Sequence, residues 1–139
     1  MIKKILIDSD VILDVATGRI PFVTDSKKVL VAIEKGKAIG CVSSNCITNI
    51  YYILRKLAND KKARSFIGEI VKYLLVLPIT QDNIVKALDP SFKDYEDSVQ
   101  YQCALSNGCE YIVTRNVEDY EKSKLNVYLP NEYIALLGK

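Results

Sequence analysis

The stretch ILIDSDVILD sets three aliphatic residues, Ile5, Leu6 and Ile7, directly against Asp8, with Asp10 and Asp14 close behind. Acids recur later. Asp94, Glu96 and Asp97 lie in DYEDSVQYQCALSNG, and Glu118 and Asp119 follow Thr114 and Asn116 in EYIVTRNVEDY. Asp94 and Asp97 have the spacing that puts two side chains on one face of a helix. Carboxylates cost several kcal/mol to withdraw from water unless backbone donors or a cation compensate them. Clustered oxygen donors suit Mg²⁺ or Mn²⁺, and such a cation activates water and neutralises a phosphodiester transition state. Histidine is absent, which excludes Cys/His zinc sites and nucleophile–His dyads. Cys41, Cys46, Cys103 and Cys109 have no CxxC spacing and read as buried, reduced thiols. Any chemistry falls to carboxylates, amides, hydroxyls or a bound metal.

Those residues need a scaffold that brings distant segments together. Residues 3–7 read as a strand buried on both faces, and 10–16 as a short helix ending near Gly18. Helical spacing runs from Asp25 to Lys35, with Gly36 as its stop, and residues 38–42 form a second short strand. Ser43 or Ser44 caps a helix reaching Ala58, with Ile47, Ile50, Tyr51 and Leu54 inward and Asn49 inside it. A basic helix spans Asp60 to Tyr73, LLVLP is a strand, and Gln81 to Leu88 a short helix. The segment after Asp94 is a helix whose first-turn acids suit its dipole; EYIVT and VYL are strands, and Pro130 opens a final helix. This alternation predicts a single α/β domain over residues 1–139: three α/β/α layers, a central mostly parallel sheet, and ligands beyond the strands' carboxyl ends.

Each acid also has a plainer use. Asp8 and Asp10 suit helix caps, Asp94 and Asp97 the dipole of a helix start, and Asp119 a turn. Asn49 suits a polar or back-bonding helix position. Composition is ordinary for a globular chain, at 49% hydrophobic and 26% charged residues, and the net charge of +2 argues little for or against nucleic acid. The stretch Arg55, Lys56, Lys61, Lys62 and Arg64 reads first as a solvated helix face when taken alone, and is also compatible with phosphate contacts. Tyr51 and Tyr52 read as partly buried helix aromatics. No apolar run approaches the ~20 residues of a membrane span and no secretory h-region is visible, so the expected location is cytoplasmic. DSDVI resembles the start of haloacid-dehalogenase-type phosphatases, but Ile12 fills the position expected to be Thr or Val, and YIVTRN lacks their later acidic pair.

Taken in order, four segments resemble the PIN domain, the nuclease fold of VapC-like toxins. ILIDSDVILD resembles the family's opening strand and first acid, ITNIYYILRK its second segment, DYEDSVQYQCAL its third and YIVTRNVEDY its fourth. LPNEYIALL is similar to the terminal stretch of one branch. The resemblance implies Asp8 and Asp97 as principal metal ligands and Thr114 as the hydroxyl that orients the site. Asp10 stands where the family usually has Asn. Two positions depart from the pattern: Asn49 replaces a usual Glu and Asn116 a usual Asp, each removing a full negative charge. Asp94, Asp119 and Asp10 join Asn116 as supporting ligands in this reading. It implies one or two Mg²⁺ or Mn²⁺ ions, hydrolysis of RNA to a 5′-phosphate and a 3′-hydroxyl, a homodimer and a cognate antitoxin. The alternative is a degenerate PIN-like domain that binds RNA or a protein without cutting.

Overall fold

A computed structural model describes residues 2–139. Its elements run β1 (Lys4–Ile7), α1 (Ser9–Thr17), α2 (Val23–Glu34), β2 (Ile39–Ser43), α3 (Ser44–Leu57), α4 (Asp60–Ile70) and β3 (Leu75–Leu77). They continue with α5 (Gln81–Lys86), α6 (Tyr95–Ser106), β4 (Tyr111–Val113), a 3-10 turn (Val117–Tyr120), β5 (Asn126–Tyr128) and α7 (Pro130–Leu137). The sheet has the order β3-β2-β1-β4-β5, and every described ladder is parallel.

The unbroken apolar runs follow from this arrangement, because a strand covered on both faces has no water-facing side to mark with polar residues. Ile5 and Ile7 of β1 point into one core with Val42 and Val113, beneath α1, α2, α3, α4 and α7. Leu6 points into a second core with Cys41 and Ile112, covered by Tyr101, Cys103 and Ala104 of α6 and by Tyr120. The result is three layers. Each fully buried Ile or Val contributes ~1.5–3 kcal/mol to holding them together. At Gly40 a Cβ would run into the Ile33 side chain, so the glycine lets α2 lie close on β2. Gly18 closes α1 in the left-handed conformation, at φ 63°.

Boundaries shift from expectation at three helices, α5 among them, which ends at Lys86 rather than Leu88. α2 begins at Val23 rather than Asp25, since Phe22 already has helical dihedrals and Val23 donates to the Arg19 carbonyl at 2.7 Å. α4 ends at Ile70, and residues 71–73 turn with bonds from Lys72 to Glu69 and from Tyr73 to Ile70. Tyr52 is 58% exposed rather than partly buried. No helix of the described residues is long and apolar enough to cross a membrane.

Strand order fixes where a ligand belongs. The chain steps outward from β1 through β2 to β3, then returns to the other side of β1 as β4. Connections leaving β1 and β4 therefore diverge at their carboxyl ends, and a crevice opens there. Asp8 directly follows β1 and Thr114 directly follows β4.

Candidate active site

The parallel register pairs Ile7 with Val113, so the residues after them emerge side by side. The Asp8 amide donates to the Val113 carbonyl at 3.0 Å, and the Thr114 amide to the Tyr128 carbonyl at 3.0 Å. Both positions are thus held by the ladder itself. Asp8 keeps only 6% of its surface exposed and Thr114 none.

Asp8 is enclosed by donors. Its Oδ1 accepts from the Ser9 amide at 2.7 Å, which caps α1, and from Gln100 Nε2 at 3.2 Å. Its Oδ2 accepts from Thr114 Oγ1 at 2.9 Å and from the Tyr120 hydroxyl at 3.2 Å. The same hydroxyl lies 3.4 Å from Asp97 Oδ1. Tyr120 has one proton for two carboxylates, so it ties Asp8 and Asp97 together and satisfies one at a time. Burial, then the charges of Asp8 and Asp97, push the Tyr120 hydroxyl far above its usual range and keep it protonated.

Asp10 faces the loop after β4. Its Oδ2 accepts from the Arg115 backbone amide at 3.1 Å and Asn116 Nδ2 at 3.0 Å, and lies 3.3 Å from Thr114 Oγ1, whose single proton is shared with the nearer Asp8. Asp94 caps α6, accepting from the Asp97 amide at 2.9 Å. Asp119 is exposed on the 3-10 turn. Asn49 is half-buried on α3, in a groove of about 730 Å³ that it lines with Asn45, Tyr52, Tyr95 and Glu96. The structure thus joins Asp8, Asp10, Asp97, Thr114 and Asn116 in one hydrogen-bonded set. Asp94 is tied to it through the α6 cap; Asn49 makes no hydrogen bond to that set.

Three contributors escaped sequence reasoning. Gln100 is one turn beyond Asp97 on α6, and that spacing alone placed it on the same face. Tyr120 is carried inward by the 3-10 turn, which no periodicity announces in so short a segment. Arg115, passed over between Thr114 and Asn116, proves to hold Asp10 with its backbone.

The field at this crevice is negative. Burial and then the Asp8 charge push Asp10 up to about 7; burial followed by Asp8, Asp94 and Asp119 does the same to Asp97, also to about 7. Glu96 is raised by burial, then by Asp94 and Asp8. Asp119 is raised too, by desolvation first and then by Glu118, Asp94 and Asp8. Repelling carboxylates of this kind are relieved by a cation.

Among the described residues, no three Asp, Glu, Cys or His side chains close into a ready-made metal cage. The Tyr120 hydroxyl bridges Asp8 and Asp97, and Asp10 is turned toward the loop of residues 114–116. Asn49 and Asn116 bring amides in place of acids. Mg²⁺ does not require such a cage: it commonly uses one or two carboxylates, several waters and substrate phosphate. The donor set fits that description. Asp10 Oδ1 and Gln100 Oε1 are also buried oxygens with no hydrogen-bond partner, acceptors that the protein itself leaves unsatisfied.

Relatives agree with this architecture. The chain is 32% identical over 123 residues to Ribonuclease VapC1 of Aquifex aeolicus (strain VF5), a match covering 85% of each chain. Its fold is similar to that of a toxin–antitoxin complex from Klebsiella pneumoniae, with a TM-score of 0.68, 20% identity, and coverage of 90% of this chain and 96% of that one. VapBC-1 from nontypeable Haemophilus influenzae is similar at a TM-score of 0.70 and 12% identity, covering 92% of this chain and 98% of that one. The family model described as "PIN domain" matches residues 4–118. With most of its length matched, and with acids gathered beyond β1 and β4, the chain belongs to the PIN domain family.

Proposed function

We propose that the chain is a divalent-metal-dependent endoribonuclease, the toxin of a toxin–antitoxin pair, acting in the cytoplasm. The observation that carries this reading is the pairing of Asp8 and Asp97 through one buried tyrosine hydroxyl at the switch point of the sheet. Support comes from the Aquifex relative, named a ribonuclease, and from the Klebsiella structure, titled a toxin–antitoxin complex. Homodimerisation and a cognate antitoxin belong to the same proposal.

In this reading Asp8 and Asp97 hold Mg²⁺ or Mn²⁺, with Asp10 and Gln100 offering their unsatisfied oxygens and Asp94, Asp119 and Asn116 standing close by. When bound, the cation lowers the pKa of a water and neutralises charge on the phosphodiester transition state. The chain's own groups fix the geometry. Thr114 fastens Asp8 in one orientation, and its hydroxyl in turn accepts the Asn116 amide at 3.0 Å, which sets the path of the loop. Tyr120 keeps Asp8 and Asp97 from drifting apart, and Gln100 holds Asp8 Oδ1. Asn116 holds Asp10 by its amide. Asn49 borders the groove where the strand would lie.

A second reading, binding without cleavage, has the two asparagines in its favour, since they lower the charge available to a cation. One experiment separates the two: Mn²⁺ titration by calorimetry on wild type and Asp8→Asn, with RNA cleavage followed with and without EDTA. EDTA-sensitive cutting and Mn²⁺ binding, both lost in Asp8→Asn, is the expected result. RNA binding with neither would establish the non-cutting domain.

A further inference from the structure

Arg115 has a place that holding a loop does not explain. Its Nε donates to Asp14 Oδ2 at 2.7 Å, and Asp14, 1% exposed, also accepts from Ser26 Oγ at 3.2 Å. Its guanidinium lies over the Phe22 ring, 4.0 Å from the centroid. Two contacts, the Nε bond and the ring stack, therefore hold this side chain in one pose. Its terminal nitrogens make no hydrogen bond among the described residues, and they are not among the buried polar atoms lacking partners, so they keep access to solvent. A guanidinium held by Nε and stacked on a ring, with its Nη edge open, is prepared for a bidentate oxyanion.

The position of that edge matters. Arg115 lines a cleft of about 300 Å³ together with Asp10, Leu13, Thr17, Arg19 and Leu57. Arg19 lies beside the same ring, 5.8 Å from its centroid, and is exposed. Two arginines thus sit on one flank of the acid cluster, one of them on the residue whose amide holds Asp10. The cleft also has apolar lining in Leu13, Ile53 and Leu57, the last 68% exposed. A strand of nucleic acid presents that combination of charged backbone and apolar sugar and base faces.

We propose that Arg115 and Arg19 form a backbone-phosphate subsite for single-stranded RNA, gripping a phosphate next to the one cut. This rests on the ribonuclease reading for its substrate class, but it is tested as binding, without cleavage. The pair Asp14–Arg115 is a structural risk, because removing one member strands the other. The test therefore uses Arg19→Ala, which touches only an exposed side chain, and the double variant Asp14→Asn/Arg115→Gln, which removes both charges together. Circular dichroism and urea melts establish that each is folded.

Fluorescent oligouridine is titrated in EDTA across a KCl series, with hexaglutamate as a competitor. Each lost phosphate contact lowers the slope of log affinity against log salt by about 0.7 for a single strand. The expected result is that drop in each variant, with about tenfold weaker binding in the double variant. Unchanged slopes in folded variants would overturn the subsite, as would the absence of oligouridine binding by wild type at low salt. Hexaglutamate binding lost in the variants while RNA slopes stay put would assign the cleft to an acidic protein instead. Cleavage by Asp8→Asn is scored separately: persistent cutting would sink the active-site reading and leave the arginine result standing.

Discussion

Asp8, the cap of α1, and Asp14, inside the same helix, are both buried acids, yet their surroundings are opposite. Asp14 has a cation of its own, Arg115, and a hydroxyl from Ser26. Asp8 has four neutral donors and no cation, while Asp10 and Asp97 press on it from the same side. A buried carboxylate already paired serves the fold. One that is hydrogen-bonded on every side, yet surrounded by like charge, is arranged for a partner that arrives from outside.

Exchanging the charges tests that distinction most sharply. Asp97→Asn is expected to lower cleavage by about a hundredfold or more while the fold stays cooperative, since it removes a carboxylate proposed to hold the cation. Asp14→Ala is expected to do the reverse: it should cost ~3–5 kcal/mol in urea denaturation by stranding the Arg115 guanidinium. Equal stability losses at the two positions would erase the contrast. Tyr120→Phe keeps the ring in the core and removes only the hydroxyl between Asp8 and Asp97; cleavage and Mn²⁺ affinity should fall roughly 10–100-fold with little change in melting.

Acidity gives a subtler probe. Asp10 and Asp97 are raised from 3.8 to about 7, so between those values the folded state binds more protons than the unfolded chain. In EDTA, stability should therefore fall as pH rises through that window, and Mn²⁺ should recover it at the upper end. Urea midpoints measured from about pH 4 to about pH 8, with and without metal, read this directly. A flat EDTA profile would mean that the acids do not repel one another as described. The smallest effect belongs to Asn49→Glu, which should tighten Mn²⁺ by a few-fold if the added charge reaches the cation. Unchanged affinity would leave Asn49 as a lining of the groove alone.

The sequence made the scaffold legible because burial on both faces leaves an unmistakable mark: ILI, CV and YIV are apolar without alternation. Caps were legible too, and capping does not take these acids away from the crevice. Asp8 caps α1 and also faces the crevice; Asp94 caps α6 and positions the amide of Asp97. Tyr120 and Arg115 were hidden for a different reason. Their roles depend on contacts made across 112 and 101 residues, and a tyrosine or arginine has no local pattern that announces such a partner. Asn49 remained readable only as a departure from a family pattern, since nothing in its own helix marks which groove it borders.

The sheet order has a consequence for the timing of the chain's birth. Thr114 reaches Asp8 across 106 residues, with the whole of β2 and β3 between them. At ~5–20 residues per second, synthesis needs roughly 5–20 s to bring the second after the first. For that interval β1 waits for its neighbour β4, and the crevice has only one wall. Until Thr114 and Tyr120 have been made, Asp8 lacks two of the hydroxyls that hold it, and the centre cannot form.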